Sequence, residues 1–173
     1  VRNIECKIEL RDAALARTIL RAVRAAYILT YAQTDTYYKV ARGRLKRRET
    51  EDEPAEWIEY ERANVAGPRA SDFRILTDAQ ARERYGAQAL ETWVVVRKRR
   101  ELWMLGSVRV HLDEVEGLGR YLELESVVTG DMGEESARAA LELLRRDLQP
   151  SLGELVDASY SDLLAAEGER AGA

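Results

Sequence analysis

In five stretches of this 173-residue chain, ionisable side chains recur at every second position: Glu5/Lys7, Arg44/Lys46/Arg48, Lys98/Arg100, Arg109/His111/Asp113 and Glu123/Glu125. Alternate side chains of a β-strand share a face, so each stretch puts its charges on one side of a pleat. The intervening positions of three stretches are apolar: Ile4, Cys6 and Ile8; Val108, Val110 and Leu112; Leu122 and Leu124. One face of these strands seeks a core while the other carries charge. Like charges side by side repel. A run such as Arg44, Lys46 and Arg48 therefore calls for an anion, and a phosphate chain suits it. The minority of carboxylates among the cations suits a metal-bound polyanion.

The rest of the chain supplies more strands and a few helices. Val1 to Leu10 alternates as a strand, and Asp12 can cap a helix running to about Ala26, with Leu15, Ile19, Leu20 and Val23 on one face. Aromatic and β-branched residues predict a strand over Tyr27 to Val40, joined by a tight turn at Ala41-Arg42-Gly43 to a strand over Arg44 to Glu49. Further strands are expected at Glu56 to Arg62 and Ser71 to Leu76, with a short helix from Asp78 to Tyr85 ending at Gly86. Two long strands, Glu91 to Arg100 and Leu102 to Asp113, follow, the second bent or interrupted at Leu105-Gly106-Ser107. The last strand is Tyr121 to Val128. Two amphipathic helices then come, Glu134 to Leu148 and about Gly153 to Ala166, separated by Pro150.

Many antiparallel strands with one charged face are best accommodated by an α+β fold: a closed β-barrel with its charges turned inward and its helices outside. Burying so many ions uncompensated costs several kcal/mol each. The lumen is therefore expected to be a tunnel holding water and ligand. The length suits one domain over 1–173, strand-rich over 1–130 and helical over 134–166.

Composition removes several chemistries. Cys6 is the only cysteine, which rules out an internal disulfide and a cysteine-rich zinc site. His111 is the only histidine, so a multi-histidine zinc site is out, and it reads as a lumen or core residue. The net charge of −4 makes nucleic acid a poor partner despite the basic run Lys39 to Arg48. No N-terminal apolar signal and no bilayer-length apolar run is present, which points to a cytoplasmic protein without a membrane partner.

Several segments carry a family resemblance in common order and spacing: Asn3-Ile4-Glu5-Cys6-Lys7, Gln33 to Tyr38, Gly43 to Glu49, Tyr60-Glu61-Arg62, His111 to Gly119, Glu123-Leu124-Glu125 and Ser159 to Leu164. With them the chain resembles the CYTH proteins, or triphosphate tunnel metalloenzymes, in the branch named for class IV adenylyl cyclases. The resemblance implies an eight-stranded antiparallel tunnel acting on a triphosphate-containing small molecule such as ATP or tripolyphosphate. It implies that Lys7, Arg44, Lys46, Arg48, Arg62, Lys98, Arg100 and Arg109 contact phosphate oxygens. Glu5, Asp113, Glu123 and Glu125 would form the catalytic centre and hold Mg2+ or Mn2+.

Asn3 stands where the family's N-terminal motif has a glutamate, and Arg69 where a lysine is common. The amide keeps an oxygen but supplies no charge. Hydrolysis of a nucleoside, organic or inorganic triphosphate leads. The alternatives are cyclisation of ATP to cyclic AMP and pyrophosphate, and a binding module without turnover. Tyr37, Tyr38 and Tyr60 are read as packing, Gln33 and Asp35 as turn-fixing, and Ser159 to Leu164 as a docking helix without chemistry. A symmetric homodimer is left open.

Overall fold

The computed structural model describes residues 2–62, 67–86, 89–131 and 133–172, with Arg62 and Arg69 described by their backbone alone. The alternating strands bury their apolar faces as expected. Strand β1 (Arg2–Leu10) is followed by helix α1 (Ala13–Ala22), β2 (Ala26–Tyr38), β3 (Arg44–Thr50), β4 (Glu56–Arg62), β5 (Arg69–Leu76) and α2 (Asp78–Tyr85). Then come β6 (Thr92–Leu105), β7 (Val108–Val115), β8 (Gly119–Val127), α3 (Glu134–Leu148), a 3-10 turn at Gln149–Ser151, β9 (Leu152–Val156) and α4 (Tyr160–Ala171).

The sheet runs β5-β4-β3-β2-β6-β7-β8-β1 and closes where β1 pairs β5. All these pairings are antiparallel, so the eight strands form a barrel without a free end to the ring. Strand β1 is divided along its length. Arg2 to Glu5 pair with β5, whereas Lys7 to Leu10 pair with β9.

The main core lies outside the barrel, where Ile4, Cys6, Ile8, Val110, Leu112, Leu122 and Leu124 meet Ala16 and Leu20 of α1 and Leu141, Leu144 and Leu148 of α3. Burying a leucine of this kind contributes about 2–3 kcal/mol relative to exposure. Asp12 caps α1 by accepting from the Leu15 N–H at 2.9 Å. The helix stops four residues short of the expected Ala26, because Arg24 adopts a left-handed φ of 63° that turns the chain into β2.

Two other expectations are corrected. Strand β6 runs unbroken through Arg100–Leu102, and the break at Gly106-Ser107 is the two-residue turn of the β6–β7 hairpin, with Gly106 at φ 55°. The expected helix from Gly153 divides into β9 and α4. Leu152–Val156 extends because the C-terminal half of β1 lacks β5 as a neighbour. Helix α4 then starts afresh at a Ser159–Asp162 capping box.

Candidate functional site

Because every second side chain of the barrel strands points inward, the charged stretches converge on one cavity of about 480 Å³. Glu5, Lys7, Lys46, Arg48, Lys98, Arg100, Arg109, Glu123 and Glu125 all line it. In the crowded run from Arg97 to Arg100, Lys98 and Arg100 are buried while Arg97 and Arg99 face out, as alternation requires.

The cavity is polarised. On the β2–β3–β6 side, cations gather around Asp35, which is 1% exposed. Lys46 Nζ donates to Asp35 Oδ2 at 2.9 Å and Lys98 Nζ to the same oxygen at 3.1 Å. Arg48 adds a bidentate grip at 2.8 and 2.9 Å. Burial alone would raise the Asp35 carboxyl, but Lys46, Lys98 and Arg48 together hold it well below the usual carboxylate range. One carboxylate cannot neutralise three cations. Burial, with repulsion from Arg100, Arg48 and Lys46, therefore brings Lys98 down to about 7 despite its contact with Asp35.

On the β1–β8 side the carboxylates gather. Glu5 and Glu125 stand directly opposite each other across the two strands, as do Lys7 and Glu123. Lys7 Nζ is 3.3 Å from Glu123 and 3.9 Å from the centre of the Tyr160 ring. Arg109 approaches Glu125 at 4.0 Å. Burial opposes ionisation of Glu123, yet Lys7 and Arg100 keep its carboxyl well below the ordinary value. Like charges opposed across an antiparallel pair are destabilising unless a cation lies between them. Glu123 and Glu125, with His111, bring one donor atom each within 4.8 Å of the others, and Glu5 stands opposite Glu125, so the residues present fit a divalent ion.

Between the two sides, Arg100 donates to Asp113 at 2.7 and 2.6 Å and to Glu123 at 2.6 Å. Asp113 also accepts from the Tyr160 hydroxyl at 2.8 Å. Its carboxyl is low because Arg100 outweighs burial, and burial with Asp113 and Glu123 nearby pushes the Tyr160 hydroxyl well up. Helix α4 thus delivers Tyr160 into the barrel.

Two expected site residues, Asp113 and Arg44, are placed differently. Asp113 is buried with both oxygens engaged and does not line the cavity. Arg44 also lies off the cavity lining, pairing with Asp162 at 2.8 Å and covering the Trp93 ring at 5.2 Å. Arg62 sits opposite Ser71 in β4, but its side chain lies outside the described residues. Asp35 and Tyr160 were not singled out for the site from the sequence. Asp35 had a signal, being in phase with Gln33 and Tyr37 on β2, all three buried. Tyr160 lies within the Ser159 to Leu164 segment that carries the resemblance, but only the fold brings it to Asp113.

The family model for the CYTH domain matches residues 2–160. No curated protein matches the chain in sequence. Among solved structures, the PH1012 protein of Pyrococcus horikoshii is similar with a TM-score of 0.72 and 18% identity over 93% of this chain and 98% of its own. A candidate adenylate cyclase from Vibrio parahaemolyticus gives 0.70 and 16%, over 94% and 97%. The Pct1 RNA triphosphatase of Schizosaccharomyces pombe, solved in complex with the Spt5 CTD, gives 0.55 and 13%, over 87% and 81%. At these identities the likeness is one of fold. With a closed eight-stranded antiparallel barrel and a family model spanning nearly its whole length, the chain belongs to the CYTH domain family.

Proposed function

We propose that the protein is a divalent-metal-dependent enzyme acting on triphosphate-containing small molecules, and that it hydrolyses them. The observation that carries this reading is the excess of cations over Asp35 on one wall, facing the glutamates of the other. A triphosphate bound to metal is negative along its chain and positive at its ion, which complements both walls.

Lys46, Arg48 and Lys98 hold the phosphate oxygens on one side, with Arg100, Lys7 and Arg109 reaching from the other strands. Arginine's fork fixes orientation and lysine adds a point charge. Glu5, Glu123 and Glu125 would hold magnesium or manganese. When bound, that ion supplies charge neutralisation and a more acidic water. Asp113 is a positioning residue that locks the Arg100 guanidinium. Arg44 belongs to the docking of α4 and contributes less to binding. Catalysis of phosphoryl transfer by such a site is placement and electrostatics.

A second reading, cyclisation of ATP, is favoured by the apolar wall of Ile58, Tyr60, Phe73 and Ile75 on the same cavity, a surface for packing a nucleobase. Incubation with ATP and with tripolyphosphate, each with magnesium and with manganese, separates the readings. Orthophosphate release from both supports hydrolysis, and cyclic AMP with pyrophosphate reverses the order. Binding of either compound without any product would make the protein a binding module.

A further inference from the structure

We propose that His111 supplies a nitrogen ligand to the divalent ion held at Glu123 and Glu125, so that this position prefers first-row transition ions to magnesium. The inference rests on the reading that these glutamates bind a divalent ion.

His111 lies on β7, in phase with Arg109 and Asp113, and its side chain is 6% exposed. Its Nδ1 is buried with no hydrogen-bond partner among the described residues. Buried ring nitrogens are ordinarily paired, and one left over asks for an explanation. Nδ1 is 3.9 Å from Glu123 Oε2, too far for a hydrogen bond. Adjacent ligands of one six-coordinate ion with bonds of about 2.1 Å lie roughly 3 Å apart, so a shared ion would draw His111 Nδ1 and the Glu123 carboxylate about 1 Å closer than they stand. One donor atom from each of His111, Glu123 and Glu125 lies within 4.8 Å of the others.

Register explains the convergence. His111 is directly opposite Glu123 across β7 and β8, and Glu125 is the next residue on the same face of β8. Glu123 is already reached by Arg100 and Lys7. A neutral imidazole adds a ligand there without adding charge. Nitrogen donors bind first-row transition ions well, whereas magnesium takes oxygen ligands and keeps its waters.

Because the chain has a single histidine, selective labelling marks this residue alone. Untagged protein is prepared unlabelled and with ¹⁵N-histidine, loaded with one equivalent of Mn2+ and measured by pulsed electron paramagnetic resonance. The expected result is a directly coordinated ¹⁴N coupling that changes to the ¹⁵N pattern on labelling. In His111→Gln the coupling disappears, Mn2+ affinity falls about tenfold or more and Mg2+ affinity changes by less than about threefold. Bound Mn2+ without histidine nitrogen coupling overturns the assignment of His111 but leaves a carboxylate site standing. No Mn2+ binding, or binding unaffected by Glu125→Gln, overturns the site and the proposal together. The spectra of the unaltered protein decide the matter whether or not the variant folds.

Discussion

The Tyr160 hydroxyl donates to Asp113 Oδ2 at 2.8 Å, so the first residue of α4 is hydrogen-bonded to the carboxylate that clamps Arg100. Tyr160→Phe keeps the ring over Lys7 but removes this bond. A lost hydrogen bond to a buried carboxylate costs about 1.5–3 kcal/mol. Urea denaturation should show that loss, corresponding to a fall of a few degrees in melting temperature. An unchanged midpoint would mean that the contact is not made in solution.

Asp35→Asn should be more damaging, because Lys46, Arg48 and Lys98 lose their shared counter-charge. Breaking a buried pair in this way costs about 3–5 kcal/mol. The effect has a pH signature. The folded-state Asp35 carboxyl lies below its unfolded value, so its stabilisation is present above about pH 4 and is lost as pH falls towards the folded value. The stability gap between the native protein and Asp35→Asn, followed by denaturation at successive pH values, should therefore narrow in acid.

Lys98, brought down to about 7, is mostly neutral at pH 8 in the ligand-free protein. A phosphate chain beside it favours the charged form and raises that value. Binding at pH 8 should take up close to one proton more in the native protein than in Lys98→Met. Calorimetry in two buffers of different ionisation enthalpy measures this, and equal uptake by both proteins would place Lys98 away from the anion.

The cation positions should separate by affinity for tripolyphosphate. Lys46→Ala and Arg48→Ala each weaken binding about tenfold or more, equivalent to about 1.4 kcal/mol. Arg44→Ala changes it by less than about threefold, because Arg44 faces Asp162 and Trp93, off the cavity lining. A comparable loss in all three variants would return Arg44 to the phosphate site.

Glu125→Gln removes a charge from the cavity wall without removing volume. Metal-dependent turnover should fall by about a hundredfold. The melting temperature should stay within a few degrees, since Glu125 lies outside the apolar core. Full activity in this variant would contradict the carboxylate wall.

Much of this arrangement was legible as face periodicity. Lys46 and Arg48, or Glu123 and Glu125, declare a shared side by spacing alone, and Ile4, Cys6 and Ile8 declare the opposite one. Which strands become neighbours is a property of closure, and periodicity does not carry it. That is why Asp35 looked like a turn residue until β3 and β6 were found on either side of it. Leu152–Val156 looked helical because its pairing with β1 depends on where β5 ends. Tyr160 reaches Asp113 across a separation of 47 residues, through the docking of a helix that has no repeat in phase with the barrel.

The polarised cavity itself is tested most directly by a crystal structure with tripolyphosphate and Mn2+, using anomalous scattering to locate the ion. The account predicts a phosphate chain against Lys46, Arg48 and Lys98, with a manganese peak beside Glu123 and Glu125. Phosphate and manganese bound only on the outer surface, with the cavity holding water alone, would contradict it.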